Sequence, residues 1–136
     1  FAIHARVILK KRYWFGRETD LSPVDLVLGW GPMSDSTHLK HVEFAQDNRF
    51  YYWSTNSPVL SREVVQSHTA NMHMIPSRPE IEKALKSLRR GQIVRISGFL
   101  VEVFSPDGWR WRSSLTRDDT GAGACEVIWV ESMEVE

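Results

Sequence analysis

Between Gln92 and Phe104 the sequence has a period of two, and this period constrains the fold more than any other feature of the chain. Val94, Ile96, Leu100 and Phe104 share one face, and Ile93, Phe99, Val101 and Val103 share the other. The period predicts a strand over Gln92–Phe104 with two partly apolar faces. Gly98 stands in the middle of that strand, where the missing side chain favours a bulge or a sharp bend. A tight turn is predicted at Ser105–Gly108, because proline presets φ and glycine tolerates φ > 0. The segment is therefore expected to form a curled sheet.

The clearest helix signal lies just before that strand. Ser77 and Glu80 form the S-x-x-E pattern of a capping box, and apolar residues follow at helical spacing. Gly91 is typical of the residue that follows a helix C-terminus. We therefore predict the main helix over residues 78–90. A shorter helix is expected to begin after Ser61, which is suited to an N-cap.

Two earlier segments are harder to assign. Leu21–Trp30 contains Ser22-Pro23-Val24-Asp25, a sequence typical of a helix start, and its apolar residues do not alternate. We predict a short helix there. His68–Pro76 is too irregular to be given an element from its pattern.

Further strands are predicted where apolar residues alternate or aromatic residues cluster, namely Ala2–Lys10, Arg49–Trp53 and Cys125–Glu131. A length of 136 residues is that of one domain, residues 1–136. The predicted class is α+β and β-rich. The expected architecture is a curled antiparallel sheet or a small OB-like barrel with one main helix (78–90) and short helices.

The charge balance and the cysteine count exclude some classes of function. The chain has 17 basic and 17 acidic residues, so its formal net charge is zero, which makes nucleic acid an unlikely partner. One cysteine, Cys125, excludes an internal disulfide. The histidines lack the spacing of a zinc site. We expect neither a metal nor a cofactor.

The polar stretch Trp109–Glu126 supplies most of the candidate ligand-binding residues. They are Arg110, Arg112, Ser114, Arg117, Asp118 and Asp119. Arginines beside hydroxyl groups and glycine amides are suited to a carboxylate or a phosphate, whereas adjacent carboxylates are suited to a hard cation. The alternative is a structural role, in which the arginines pair with the aspartates across a sheet edge.

Four further candidates lie in two irregular segments. They are Trp30 and Asp35 in Gly29–Asp35, and Asn71 and His73 in His68–Pro76. Polar segments of irregular structure often carry recognition. We expect these two segments and the loop Leu115–Ala124 to share one surface.

Three functions remain open. The preferred one is a non-enzymatic binding or interaction module for a protein or small-molecule partner. The second is a hydrolase-like enzyme using Asp118 or Asp119 with His73 or His68, because carboxylates and histidines serve acid–base chemistry. The third is an OB-type nucleic-acid binder, suggested by the fold class and by alternating tryptophan and arginine. No catalytic residue is assigned.

Four segments of the sequence together resemble a family of small uncharacterised bacterial proteins. They are LSPVDLVLGWGPMSD (Leu21–Asp35), NRFYYW (Asn48–Trp53), HTANMHMIP (His68–Pro76) and WRWRSSLTRDDTGAGACE (Trp109–Glu126). Members often carry an N-terminal hydrophobic segment. The resemblance implies a bacterial source and a membrane-anchored or exported form, and it carries over no catalytic residue. A chain that begins at Phe1 rather than Met fits an upstream segment.

Overall fold

A computed structural model describes residues 1–112 and 126–136, which contain nine strands, four α-helices and one 3₁₀ turn, Gly31–Ser34. The strands are β1 (Ala2–Arg12), β2 (Val24–Gly29), β3 (Glu43–Asp47), β4 (Phe50–Ser54), β5 (Thr69–Pro76), β6 (Ile93–Leu100), β7 (Glu102–Phe104), β8 (Arg110–Arg112) and β9 (Glu126–Val135). The helices are α1 (Arg17–Leu21), α2 (Ser36–Leu39), α3 (Arg62–Ser67) and α4 (Pro79–Lys86). None of these described helices combines the length and the apolar character needed to cross a membrane.

Five of the strands close into a barrel in the order β1-β2-β5-β9-β6. All neighbours pair antiparallel except β5 and β9, which are parallel. The helix α4 lies between the third and the fourth barrel strand along the chain. The prediction of a small, β-rich, OB-like barrel with one main helix is therefore confirmed.

Local irregularities allow the barrel to close. The register of β6 against β9 shifts between Ser97 and Gly98. A Cβ atom on Gly98 would lie 1.9 Å from the backbone oxygen of Trp129, so only glycine fits this approach. The predicted bend at this glycine is confirmed. The register of β1 against β2 shifts in the same way between Val7 and Leu9.

The barrel interior holds the main core. Inward-facing side chains of β2 and β5 are fully buried there, and they include Leu26, Leu28, Met72 and Met74. The helix α4 packs Ile81 and Leu85 onto the same cluster. Because all five barrel strands contribute to it, this cluster holds the sheet and the helix together as one unit.

Two local predictions were wrong, and one segment that the pattern left unassigned is a strand. Val24–Gly29 is strand β2 rather than a helix, because all of its residues are buried and a strand buried on both faces shows no alternation. The irregular His68–Pro76 segment contains strand β5 for the same reason. The helix α4 begins at Pro79 with Arg78 as its N-cap and no side-chain cap, so the capping box at Ser77 does not form.

Two hairpins inserted between barrel strands lie over the outer face of β2 and β5. The first joins β3 and β4 through a two-residue turn, in which Asn48 has φ 52° and Arg49 has φ 72°. Both residues are left-handed, as a type I′ turn requires. The second pairs β7 with β8 through the predicted Ser105–Gly108 turn, in which Gly108 has φ 92°. As a result, Val27 and Asn71 on the outer face are fully buried.

Candidate functional site

A fully buried carboxylate lies at the centre of the covered face. Asp25 of β2 is opposite His73 of β5 in the sheet register. Its Oδ1 accepts hydrogen bonds from Nη1 of Arg49 at 2.7 Å and from Nδ1 of His73 at 2.9 Å. Its Oδ2 is buried and has no hydrogen-bond partner among the described residues. Since Nδ1 of His73 faces a carboxylate, this nitrogen carries the proton and Nε2 is left for another partner.

Arg49 joins the first hairpin to its surroundings through both its backbone and its side chain. Its backbone N–H donates to the hydroxyl of Tyr13 at 2.8 Å, and its guanidinium carbon lies 4.0 Å from the centre of that ring. Its carbonyl accepts from Nδ2 of Asn71 at 3.0 Å, and its Nη2 donates to Thr19 Oγ1 at 3.3 Å. Burial raises the pKa of Tyr13. These bonds hold Arg49 in its left-handed backbone conformation.

Trp111 of β8 covers the histidine from the second hairpin. Its ring centre lies 4.6 Å from that of His73 and 5.4 Å from the guanidinium carbon of Arg49. His73 is only 3% exposed. No described hydroxyl or thiol group forms a hydrogen bond with His73, so the Asp25–His73 pair has no described nucleophile. The geometry is that of a network that fastens two hairpins to the barrel.

A second arrangement lies where the loop between β1 and β2 meets the turn of the second hairpin. Arg17 of α1 donates to both carboxylate oxygens of Asp107, at 3.2 and 2.8 Å. Asp107 also accepts from the hydroxyl of Ser105 and from the backbone N–H of Trp109. The Ser105 hydroxyl and the Arg17 guanidinium lower the pKa of Asp107 to about 2. The two loops are therefore joined by an ionised, bidentate contact.

An open cleft of about 610 Å³ lies between these two loops, and we call it the rim cleft. Its lining residues are Arg17, Asp20, Leu21, Val103, Phe104, Ser105, Pro106, Asp107 and Trp109. Most of the surface that they offer is apolar, and Phe104 is 68% exposed. OB-type barrels bind their ligands with the corresponding loops and with the adjoining face of the second and third strands. In this chain that face is covered, but the cleft between the loops is open.

The structure brings two of the sequence-predicted residues together. Asn71 and His73 share the outer face of β5 beneath the first hairpin. Asn71 donates to the carbonyl of Arg49, and His73 bonds to the carboxylate of Asp25. Arg110 lies elsewhere, on the exposed side of β8, where its Nε is 3.4 Å from the carboxylate of Glu102.

The other predicted residues lie apart from this pair or outside the described residues. Trp30 packs against the main core, and its backbone N–H donates to the backbone carbonyl of His68 at 3.0 Å. Asp35 caps α2, where it accepts from the backbone N–H of Thr37 at 2.9 Å. The backbone of Arg112 pairs with that of Glu102. The predicted residues outside the described ranges are Ser114, Arg117, Asp118 and Asp119.

Sequence reasoning missed Asp25, Arg49 and the rim cleft. An acidic residue inside the apolar run Val24–Leu28 is the signal that identifies Asp25, once that run is recognised as a strand. Arg49 follows the turn-forming Asp47-Asn48, but nothing in the sequence around it indicates which residues its side chain contacts. The cleft is formed by two loops far apart in the chain, so no local pattern indicates it.

Among residues 1–112 and 126–136, no three histidine, cysteine or carboxylate side chains come together as metal ligands. The chain matches no family model, and no curated protein and no solved structure is significantly similar to it. Function has to be inferred from the geometry of the chain itself.

Proposed function

We propose that this protein is a non-enzymatic binding module that takes its ligand in the rim cleft. The observation that carries the proposal is the contrast between the two parts of the barrel surface. The outer face of β2 and β5 is closed by the chain's own hairpins, while the cleft at the adjoining loops is open and largely apolar. An open apolar cleft with a few polar groups at its edge is typical of a ligand site.

The covered network supports this division of roles. Asp25 and Arg49 fix the first hairpin, and the His73–Trp111 contact fixes the second. Trp109 lies on the same hairpin as Trp111, with 6.2 Å between ring centres, and it lines the cleft. The network therefore holds one wall of the cleft in place without exposing its own polar groups. Such preorganisation reduces the entropy lost on binding.

The test is a screen of aromatic and aliphatic fragments by two-dimensional ¹H–¹⁵N NMR. We expect binding fragments to shift the amides of Leu21, Phe104 and Trp109, and we expect Phe104→Ser to abolish these shifts. Phe99→Ser is the matched control, because Phe99 is 59% exposed on β6 and does not line the cleft. Shifts that cluster elsewhere, or an equal loss in both variants, would reject the rim cleft as the site.

A second candidate function is acid–base catalysis at His73. It is favoured by the 2.9 Å contact between His73 and Asp25, which orients the ring. The sequence instead predicts a pairing of His73 or His68 with Asp118 or Asp119, and these two aspartates lie outside the described residues. The test is hydrolysis of p-nitrophenyl esters and phosphates. Catalysis requires turnover that His73→Asn abolishes while the circular dichroism spectrum is retained. The binding module predicts no turnover in either protein.

A further inference from the structure

We infer that the rim cleft takes an extended peptide segment of a partner protein, which adds as a strand to the free edge of β7. This inference rests on the proposed function, because it names the ligand of the same cleft. It follows from three properties of the cleft: a strand edge that no described residue pairs with, an apolar lining, and one carboxylate that has no partner among the described residues.

The first property is the edge of β7. In the described part of the chain, β7 pairs with β8 alone. Ser105 N–H donates to the carbonyl of Trp109 at 3.0 Å, which makes these two residues a hydrogen-bonded pair at the end of the hairpin. Hydrogen-bonded pairs alternate along an antiparallel ladder, so Val103 forms the next one. Glu102 and Phe104 therefore direct their backbone N–H and C=O groups away from β8.

These outward groups offer a template for one more strand. No hydrogen bond joins the backbone of Glu102 or Phe104 to a described residue outside the hairpin. Unpaired edges of this kind recruit extended peptides, whose main chain supplies affinity while alternate side chains enter pockets. The cleft runs beside this edge, since Val103, Phe104 and Ser105 line it in succession.

The second property is the shape and chemistry of the space beside the edge. The helix α1 forms the opposite wall through Arg17, Asp20 and Leu21, and the cleft of about 610 Å³ lies between the helix and β7. A volume of a few hundred cubic ångströms is that of a typical ligand site. Leu21 and Phe104 are both exposed apolar residues, and apolar surface of this kind marks protein interaction sites. An extended segment with apolar side chains fits this space.

The third property is charge. Among the charged residues that line the cleft, Arg17 and Asp107 pair with each other. Asp20 forms no hydrogen bond or ion pair with any described residue. The lining therefore offers an unpaired carboxylate and no free cation, which favours a peptide that carries lysine or arginine over a polyanion such as nucleic acid.

The experiment is a selection from a displayed library of random heptapeptides, followed by affinity measurements on the selected sequences. We expect enrichment of peptides with alternating apolar residues and one lysine or arginine. Methylation of alternate backbone nitrogens in one register of the peptide should weaken binding by about tenfold or more, while methylation in the other register should not. The difference between registers is specific to strand addition.

Variants of the protein complete the test. Glu102→Pro removes an outward N–H but keeps the ladder to β8, and we expect a loss of about tenfold relative to Glu102→Ala, which keeps the N–H. Thermal unfolding of both variants verifies that they are folded. Asp20→Lys should change the preference from peptides that carry lysine or arginine to acidic peptides.

The outcomes separate the inference from the proposed function. Equal binding by both methylated registers and by Glu102→Pro overturns strand addition. Failure to enrich peptides, while fragments still bind the cleft, overturns the peptide partner and leaves the cleft as a ligand site. Selected peptides whose binding survives Phe104→Ser would overturn both.

Discussion

Nη1 of Arg49 lies 2.7 Å from Oδ1 of Asp25, and this contact fastens the turn of the first hairpin to the barrel strand beneath it. The carboxylate side chain is 0% exposed and the arginine side chain is 15% exposed. Loss of the arginine therefore leaves a buried charge with fewer partners, which is more costly than loss of a surface pair.

We expect Arg49→Met to destabilise the protein by about 3 kcal/mol, measured by urea unfolding. Arg95→Met is the matched control, because Arg95 lies 3.6 Å from Glu136 and both side chains are about half exposed. An exposed pair of this kind contributes at most about 1 kcal/mol. Equal effects of the two substitutions would show that Asp25 does not depend on Arg49.

The packing of Trp111 on His73 is tested by a double-mutant cycle. With ring centres 4.6 Å apart, we expect a coupling free energy of about 0.5 to 1.5 kcal/mol between His73→Leu and Trp111→Leu. Unfolding in urea gives the four free energies. Additive effects of the two substitutions would mean that the second hairpin is not held through this contact.

Gly98→Ala is expected to destabilise the barrel by about 3 kcal/mol or more, because the new Cβ atom would overlap a backbone oxygen that has no freedom to move away. Gly91→Ala is the comparison. Gly91 has φ +90° and no atom within 4 Å of the added carbon, so its substitution carries only the left-handed backbone cost of about 1 to 2 kcal/mol. Thermal unfolding measures both. A larger loss of stability in Gly91→Ala than in Gly98→Ala would contradict the prediction.

The Arg17–Asp107 contact gives a pH prediction. The pKa of Asp107 is lowered, chiefly by the Ser105 hydroxyl and then by Arg17, to about 2. Because the folded-state pKa lies below the ordinary value of about 4, the contact favours the folded state above pH 4 and is lost as the pH falls through about 2. Carbon-13 NMR of the carboxyl group should give a midpoint near 2. In Arg17→Gln the midpoint should move upward, and an ordinary midpoint in the unsubstituted protein would contradict the contact.

Local signals in the sequence were sufficient for the parts of the fold that depend on neighbours in the chain. Ser61 caps α3 as expected, with its hydroxyl accepting from the backbone N–H of Val64 at 3.2 Å. The turn at Ser105–Gly108 and the bend at Gly98 also follow from residue type alone. The helix α4 begins later than the capping box predicts, because Pro79 is favoured at the first helical position and Arg78 becomes the N-cap in place of Ser77.

The parts of the fold that are covered by segments from elsewhere in the chain could not be predicted in this way. The strands β2 and β5 are buried on both faces because hairpins from elsewhere in the chain lie on them, which removes the alternation that marks a strand. The same cover buries Asp25 and His73. A carboxylate in an apolar run is visible in the sequence, but its partner Arg49 is set by the turn geometry of a separate hairpin.

The pairing of β9 has a consequence for how the protein is made. This strand closes the barrel on both sides, since it pairs with β5 and with β6. During synthesis, β5 and β6 leave the ribosome before β9 and have no partner on those sides until Glu126–Val135 emerges. A nascent chain therefore exposes two open strand edges, which are prone to self-association, until β9 emerges. Ribosome-bound chains that stop before Glu126 should need chaperone protection, and chains long enough for Val135 to leave the ribosome should not.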